Sequence, residues 1–144
     1  LDWSYKLDAQ PWRAVDAQAG VTEFAGANWD DLRVSRLDAT DSAAVRAPSD
    51  SRVIAAGVRV DAVGDGVSCS LKLREIGGLR REWASMVGQI DWPSELVVGC
   101  DPEQTEAYTA TAGFLVPLNA TGPFVLEVVV PDAVPEFLRF SVEV

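Results

Sequence analysis

The sequence predicts an all-β chain folded as an antiparallel β-sandwich of seven or eight strands. Three observations carry that reading. Apolar and polar residues alternate over several short segments, as in Val67-Ser-Cys-Ser-Leu-Lys-Leu73 and Phe124-Val-Leu-Glu-Val-Val-Val130. Turn chemistry rich in Gly, Pro, Asn and Asp separates nearly all of them at intervals of about ten to fifteen residues. No segment holds a helical apolar period over a useful length.

Along the chain, Leu1-Asp-Trp-Ser-Tyr-Lys-Leu7 alternates with aromatics until Gln10-Pro-Trp12 interrupts it. We read residues 1–20 as an N-terminal arm or edge strand, and residues 21–144 as a single sandwich domain. Val15 to Phe24 is weakly patterned and punctuated by Gly20. Asn28 to Leu37 reads as a strand, and Asp38 to Asp50, with its Ala, Ser, Asp and Pro48, as an exposed connection. Arg52 to Asp61 forms the next strand, with Ile54, Val58 and Val60 on one face. Gly64-Asp-Gly66 then suggests a hairpin turn into the strand that carries Cys69. Gly77-Gly78 turns into Leu79–Met86, with a short helical turn expected near Glu82–Val87. Asp91-Trp-Pro-Ser94 leads into the run Leu96-Val-Val-Gly-Cys100. In the last third, Tyr108, Ala110, Ala112, Phe114 and Val116 should point inward. So should Phe124, Leu126, Val128 and Val130, followed by Leu138, Phe140, Val142 and Val144.

The two cysteines, Cys69 and Cys100, each end up on an inward position of its own strand, which makes a core-stapling disulfide the expected pairing. Closing a loop of about thirty residues, it would contribute roughly 3–4 kcal/mol by restricting the unfolded chain. Such a bond belongs to an oxidising compartment, so an extracytoplasmic protein is expected, either secreted or a membrane-anchored ectodomain. The chain opens at Leu1 without a charged-then-apolar leader, which we read as a mature or trimmed ectodomain. No run of apolar residues is long enough to span a bilayer, and no membrane insertion of this segment is expected.

Composition narrows function by exclusion. Twelve basic against 22 acidic residues leave a net charge of −10, the wrong sign for nucleic acid or anionic lipid. Only Lys6 and Lys72 among those twelve are lysines, and with abundant Ala, Val and Asp this looks like the coding bias of a GC-rich bacterium. The absence of histidine removes the commonest general base and metal ligand. No nucleophile elbow, phosphate-cradling Gly-rich loop or zinc ligand set is present, so neither catalysis nor a cofactor is expected. Glu75 with Glu82, or Asp30 with Asp31, supply the carboxylates a glycosidase needs, but nothing in the spacing makes them converge. Asp61 with Asp65, and Asp101 with Glu103, offer oxygen ligands for calcium without an EF-hand pattern, and no metal site is assigned. Arg80-Arg81 is the one adjacent basic pair, and Asn119-Ala-Thr121 matches a glycosylation acceptor with no meaning expected in a bacterium.

Tryptophan is the more suggestive class, with five in 144 residues. Indoles on a sandwich face stack against sugar rings, and otherwise fill cores and rims. Trp92, in a loop before Pro93, is the leading candidate for an exposed ligand-binding indole, followed by Trp12 and Trp3.

The order of elements resembles the immunoglobulin-like, telokin-like extracytoplasmic domains of actinobacterial envelope proteins. The resemblance rests on Trp29, Val58-Arg-Val60, Cys69 with Cys100, Phe114-Leu-Val-Pro117 before Phe124–Val130, and the terminal Arg139-Phe-Ser-Val-Glu-Val144. It covers about residues 20–144. It implies an immunoglobulin-like sandwich without a catalytic site, serving protein–protein contacts in the cell envelope. A carbohydrate-binding module built on exposed tryptophans is the alternative.

Overall fold

A computed structural model describes residues 12–85, 90–94 and 96–143. Among them lie ten strands in two five-stranded sheets, packed face to face. The first sheet orders its strands β1 (Arg13–Asp16), β10 (Glu136–Val142), β9 (Phe124–Val129), β5 (Ser70–Glu75) and β6 (Glu82–Ala84). The second orders β2 (Thr22–Phe24), β3 (Ala27–Arg36), β4 (Ser51–Ala62), β8 (Tyr108–Pro117) and β7 (Val97–Val98). The all-β sandwich expected from alternation is the fold. Its strand number exceeds seven or eight because β1, β2 and β6 span only three or four residues each, too short for alternation to register. No helix among the described residues is long and apolar enough to cross a membrane.

The core lies between the sheets, where the period-two pattern places it. Ile54, Val58 and Val60 of β4 and Ala110, Ala112, Phe114 and Val116 of β8 meet Leu71 and Leu73, Phe124, Leu126 and Val128, and Leu138, Phe140 and Val142. Trp29 is fully buried at its centre, and its indole N–H donates to the Phe24 carbonyl at 2.9 Å. A bulge between Asp30 and Arg33, with Asp31 at φ +50°, shifts the face of β3 by one residue. Trp29 before it and Leu32 and Val34 after it therefore all pack on the same core.

Several local expectations are corrected. Asp38–Asp50 is not a bare connection, because α1 (Ala39–Ala44) forms within it, with the Asp38 side chain accepting from the Asp41 N–H at 2.7 Å. The proposed hairpin through Gly64–Gly66 does not exist. β4 pairs with β3 and β8 in one sheet, whereas β5 lies between β9 and β6 in the other, so this segment crosses between sheets. The helical turn expected from Glu82 begins instead as strand β6, paired to β5, and residues 86–89 lie outside the described residues. Two pairings are parallel, β1 with β10 and β7 with β8, in an otherwise antiparallel sandwich. Val144 lies outside the described residues.

One end of the sandwich is sealed by a buried ion pair. Glu75, on the inward side of β5, receives both arms of the Arg81 guanidinium at 3.1 Å, and Arg81 also lies over the Trp83 ring. Arg81 holds the Glu75 carboxyl below the ordinary glutamate range. A carboxylate so shifted stabilises the fold above its unfolded-state value and ceases to do so as pH falls through its folded one. The melting temperature of the parent should therefore drop steeply in acid, below the ordinary glutamate value of about 4.3. Glu75→Gln should melt lower at pH 7 and lose less on acidification, as thermal melts across pH will measure. Parallel pH profiles for the two proteins would remove Glu75 from this role.

Candidate functional site

The outward faces of the two sheets differ in kind. On the first, charges alternate across all five strands. Asp16 bonds Arg139 at 2.7 Å, Glu127 bonds Arg74 at 2.9 Å, and Glu82 bonds Arg74 at 2.8 Å and Lys72 at 3.3 Å. Register explains the row, since Asp16, Arg139, Glu127 and Lys72 are successive cross-strand partners. Arg139 in turn keeps the Asp16 carboxyl below its usual range. Such a face satisfies itself and suits water.

The second sheet presents small residues at its middle instead, with the Arg33–Asp31 and Arg59–Asp30 ion pairs on β3 and β4. In register, Ser35 faces Ala55 and Ala55 faces Gly113, while Gly57 lies between Arg33 and Thr111. The result is an open trough of about 460 Å³, walled by Trp92 and Leu96. Trp92 reaches it from a loop clasped to the end of α1. The Asp91 N–H donates to the Val45 carbonyl at 2.9 Å, and Arg46 pairs with Asp91 at 3.0 Å. Gly113 allows the ring its place, because a Cβ there would lie 2.7 Å from the indole. Thr111 joins the two walls. Its hydroxyl accepts from the Trp92 indole N–H at 3.4 Å and donates to the Val97 carbonyl at 2.8 Å. Beyond Leu96, exposed Val98 extends the apolar rim along β7.

Of the three tryptophans singled out from sequence, the two described ones, Trp12 and Trp92, are not brought together. Trp92 is half-buried on the second sheet. Trp12 is 63% exposed beside β1 on the first sheet, with the Arg13 guanidinium 5.2 Å from its ring centre. Trp3 lies outside the described residues. Trp29 belongs to the core, and Trp83 packs edge-on against Phe124 at 6.1 Å. Sequence reasoning passed over Leu96, Val98, Thr111 and Gly113. The glycine inside the Tyr108–Val116 alternation was the available signal, since a strand glycine often marks a close approach.

The carboxylates considered for chemistry have other engagements. Glu75 bonds Arg81, Glu82 bonds Arg74, Asp30 bonds Arg59 and Asp31 bonds Arg33. Asp101 accepts from the Glu103 backbone N–H at 3.0 Å. Among the described residues no three acidic or cysteine side chains gather as a metal ion would require.

Cys69 and Cys100 form a disulfide, with Cα atoms 4.9 Å apart. Cys69 immediately precedes β5 and Cys100 follows β7 by one residue, so the bond links the two sheets. Both residues are half-buried, and both lie just outside strands. Beside them the Asp101 N–H donates to the Tyr108 hydroxyl at 2.9 Å, and burial raises the Tyr108 pKa. No known protein family, curated protein or solved structure matches the chain.

Proposed function

We propose that this chain is a non-catalytic, extracytoplasmic interaction domain of a bacterial cell-envelope or secreted protein, and that it docks a protein partner in the Trp92 trough. The observation that carries the reading is the contrast between the sheets: one outward face pairs its charges across all five strands, the other offers a trough floored by small residues, walled by Trp92 and Leu96, with Arg33 its one charged lining residue and exposed Val98 further along β7. Exposed apolar rims of this kind mark surfaces that partners cover, and a rigid, half-buried tryptophan is the residue type that dominates binding energy. The inter-sheet disulfide supports an oxidising location. The immunoglobulin-like, telokin-like resemblance agrees with an accessory domain of this kind. A sugar platform would need indoles sharing a plane, and Trp12 and Trp92 belong to different sheets, which favours protein over glycan.

A photo-crosslinking amino acid placed at Val98, and separately at Lys72 on the charged face, tests this in native envelope. The expected result is one discrete protein adduct from position 98, diminished by Leu96→Asp, and none from position 72. Equal labelling from both positions, or labelling from neither, overturns it.

A further inference from the structure

β7 is the weakest element of the second sheet and also the rim of the trough. β4 and β8 stay in register from Ser51 and Pro117 to Val60 and Tyr108, whereas β7 meets β8 only at Val97–Ala110 and Val98–Thr111. Two residues of parallel pairing do not hold a strand against its own chain entropy. Local support comes from the Gly99 N–H donating to the Thr111 carbonyl at 2.9 Å and from the Thr111 hydroxyl on the Val97 carbonyl. Two further anchors flank its end, the Asp101 N–H on the Tyr108 hydroxyl of β8 at 2.9 Å and the clasp around Cys100. Its N–H reaches the Cys69 carbonyl at 3.4 Å, and the disulfide closes over it. Gly99 makes that approach possible: it turns at φ +67°, and a Cβ there would stand 3.0 Å from the Cys69 carbonyl oxygen.

We propose that the Cys69–Cys100 bond is a redox-sensitive latch on the trough, holding β7 in place while the rest of the sandwich stands without it. The functional meaning of the latch rests on the trough being the docking surface. The reductant is a dithiol. One thiolate attacks a sulfur of the bridge to give a mixed disulfide, and its second thiol displaces the bound cysteine. Two electrons and two protons pass to the protein, Cys69 and Cys100 become thiols, and the reductant closes as its own disulfide. With the bond open, β7 detaches, the Val97 carbonyl leaves the Thr111 hydroxyl, and Trp92 loses the hydroxyl's fixed orientation. The apolar rim is then no longer assembled. Both cysteines are half-buried, lie just outside the strands and pack at the margin of the core.

Native-state hydrogen exchange on the whole chain, oxidised and then reduced with dithiothreitol, tests the latch without any partner. Cys69→Ser/Cys100→Ser repeats the comparison with no thiol present. Reduction and the double variant should each speed exchange at Val97, Val98 and Gly99 by at least about tenfold more than at β4 and β9, whose exchange rises only with the lost global stability. The Trp92 indole N–H resonance, assigned by its loss in Trp92→Phe, should shift in the same two samples. Unchanged protection at Val97–Gly99 overturns the latch. So does a gain of equal size at β4 and β9, which would make the bond a staple of the whole fold and no more. If β7 is released and position 98 still crosslinks nothing in the oxidised protein, the latch stands and the docking reading fails.

Discussion

Trp29→Ala should lower the stability of this protein by about 3–5 kcal/mol, the ordinary range for deleting a fully buried aromatic side chain. The ring has no solvent exposure, and it packs where the bulged strand β3 turns both its halves toward the core. Its removal also strips the Phe24 carbonyl of the indole N–H it accepts at 2.9 Å, and an orphaned buried acceptor adds roughly 1–3 kcal/mol. Against a total stability of about 5–15 kcal/mol for a domain of this size, the loss reaches a large fraction of the whole. Urea denaturation followed by far-UV circular dichroism measures it, with Trp12→Ala as the companion. Trp12 lies mostly in water, so its variant should unfold at nearly the parent midpoint. Similar midpoints for the two variants would show that Trp29 is not the central packing element of the sandwich.

What was legible in the sequence follows from what alternation encodes. A period of two reports which side chains share a face, and it correctly placed Ile54, Val58 and Val60, the inward row of β8, and Leu138, Phe140 and Val142 in the core. It carries no statement about which strand lies beside which. The Gly64–Gly66 turn looked like a hairpin because turn residues sat between two alternating runs, yet the chain uses it to leave one sheet for the other. The helix Ala39–Ala44 was missed because six residues are too few for an apolar period, although the Asp38 cap was there to be read. The trough was illegible for a related reason. Its floor unites Ser35 of β3, Ala55 and Gly57 of β4 and Thr111 of β8, and only the register between them makes one surface. The loop chemistry of Asp91-Trp-Pro-Ser94 marks Trp92 but not its seat; the glycine that receives its ring lies 21 positions further along. The disulfide pairing was readable from two cysteines, but its place was not. It lies between the sheets just outside β5 and β7, half-buried and packed against the margin of the core.

Gly66→Ala is expected to open the same clasp while leaving the disulfide intact. Gly66 faces Pro102, and a Cβ built on it would lie 1.8 Å from the Pro102 carbonyl oxygen and 2.5 Å from its carbonyl carbon. The obstructing atoms are backbone, so no rotamer change relieves the overlap, and the loops on either side of Cys69 and Cys100 must separate. Overpacking of this kind costs typically about 1–3 kcal/mol, and the rigid partner sets it toward the upper part of that range. Thermal melts should show the loss, with Ser68→Ala, an exposed position two residues on, close to the parent. Hydrogen exchange at Val97–Gly99 should rise even in oxidised protein, because the segment Gly99–Asp101 moves with Pro102. The variant separates two contributions that reduction removes together: the covalent bond, and the close approach of the chains that the bond secures. If Gly66→Ala melts with the parent, the two loops are not appressed and β7 hangs on the covalent bond alone. If it melts lower and β7 exchanges faster with the bridge still closed, the geometry of the clasp holds the rim, and the disulfide acts by preserving that geometry.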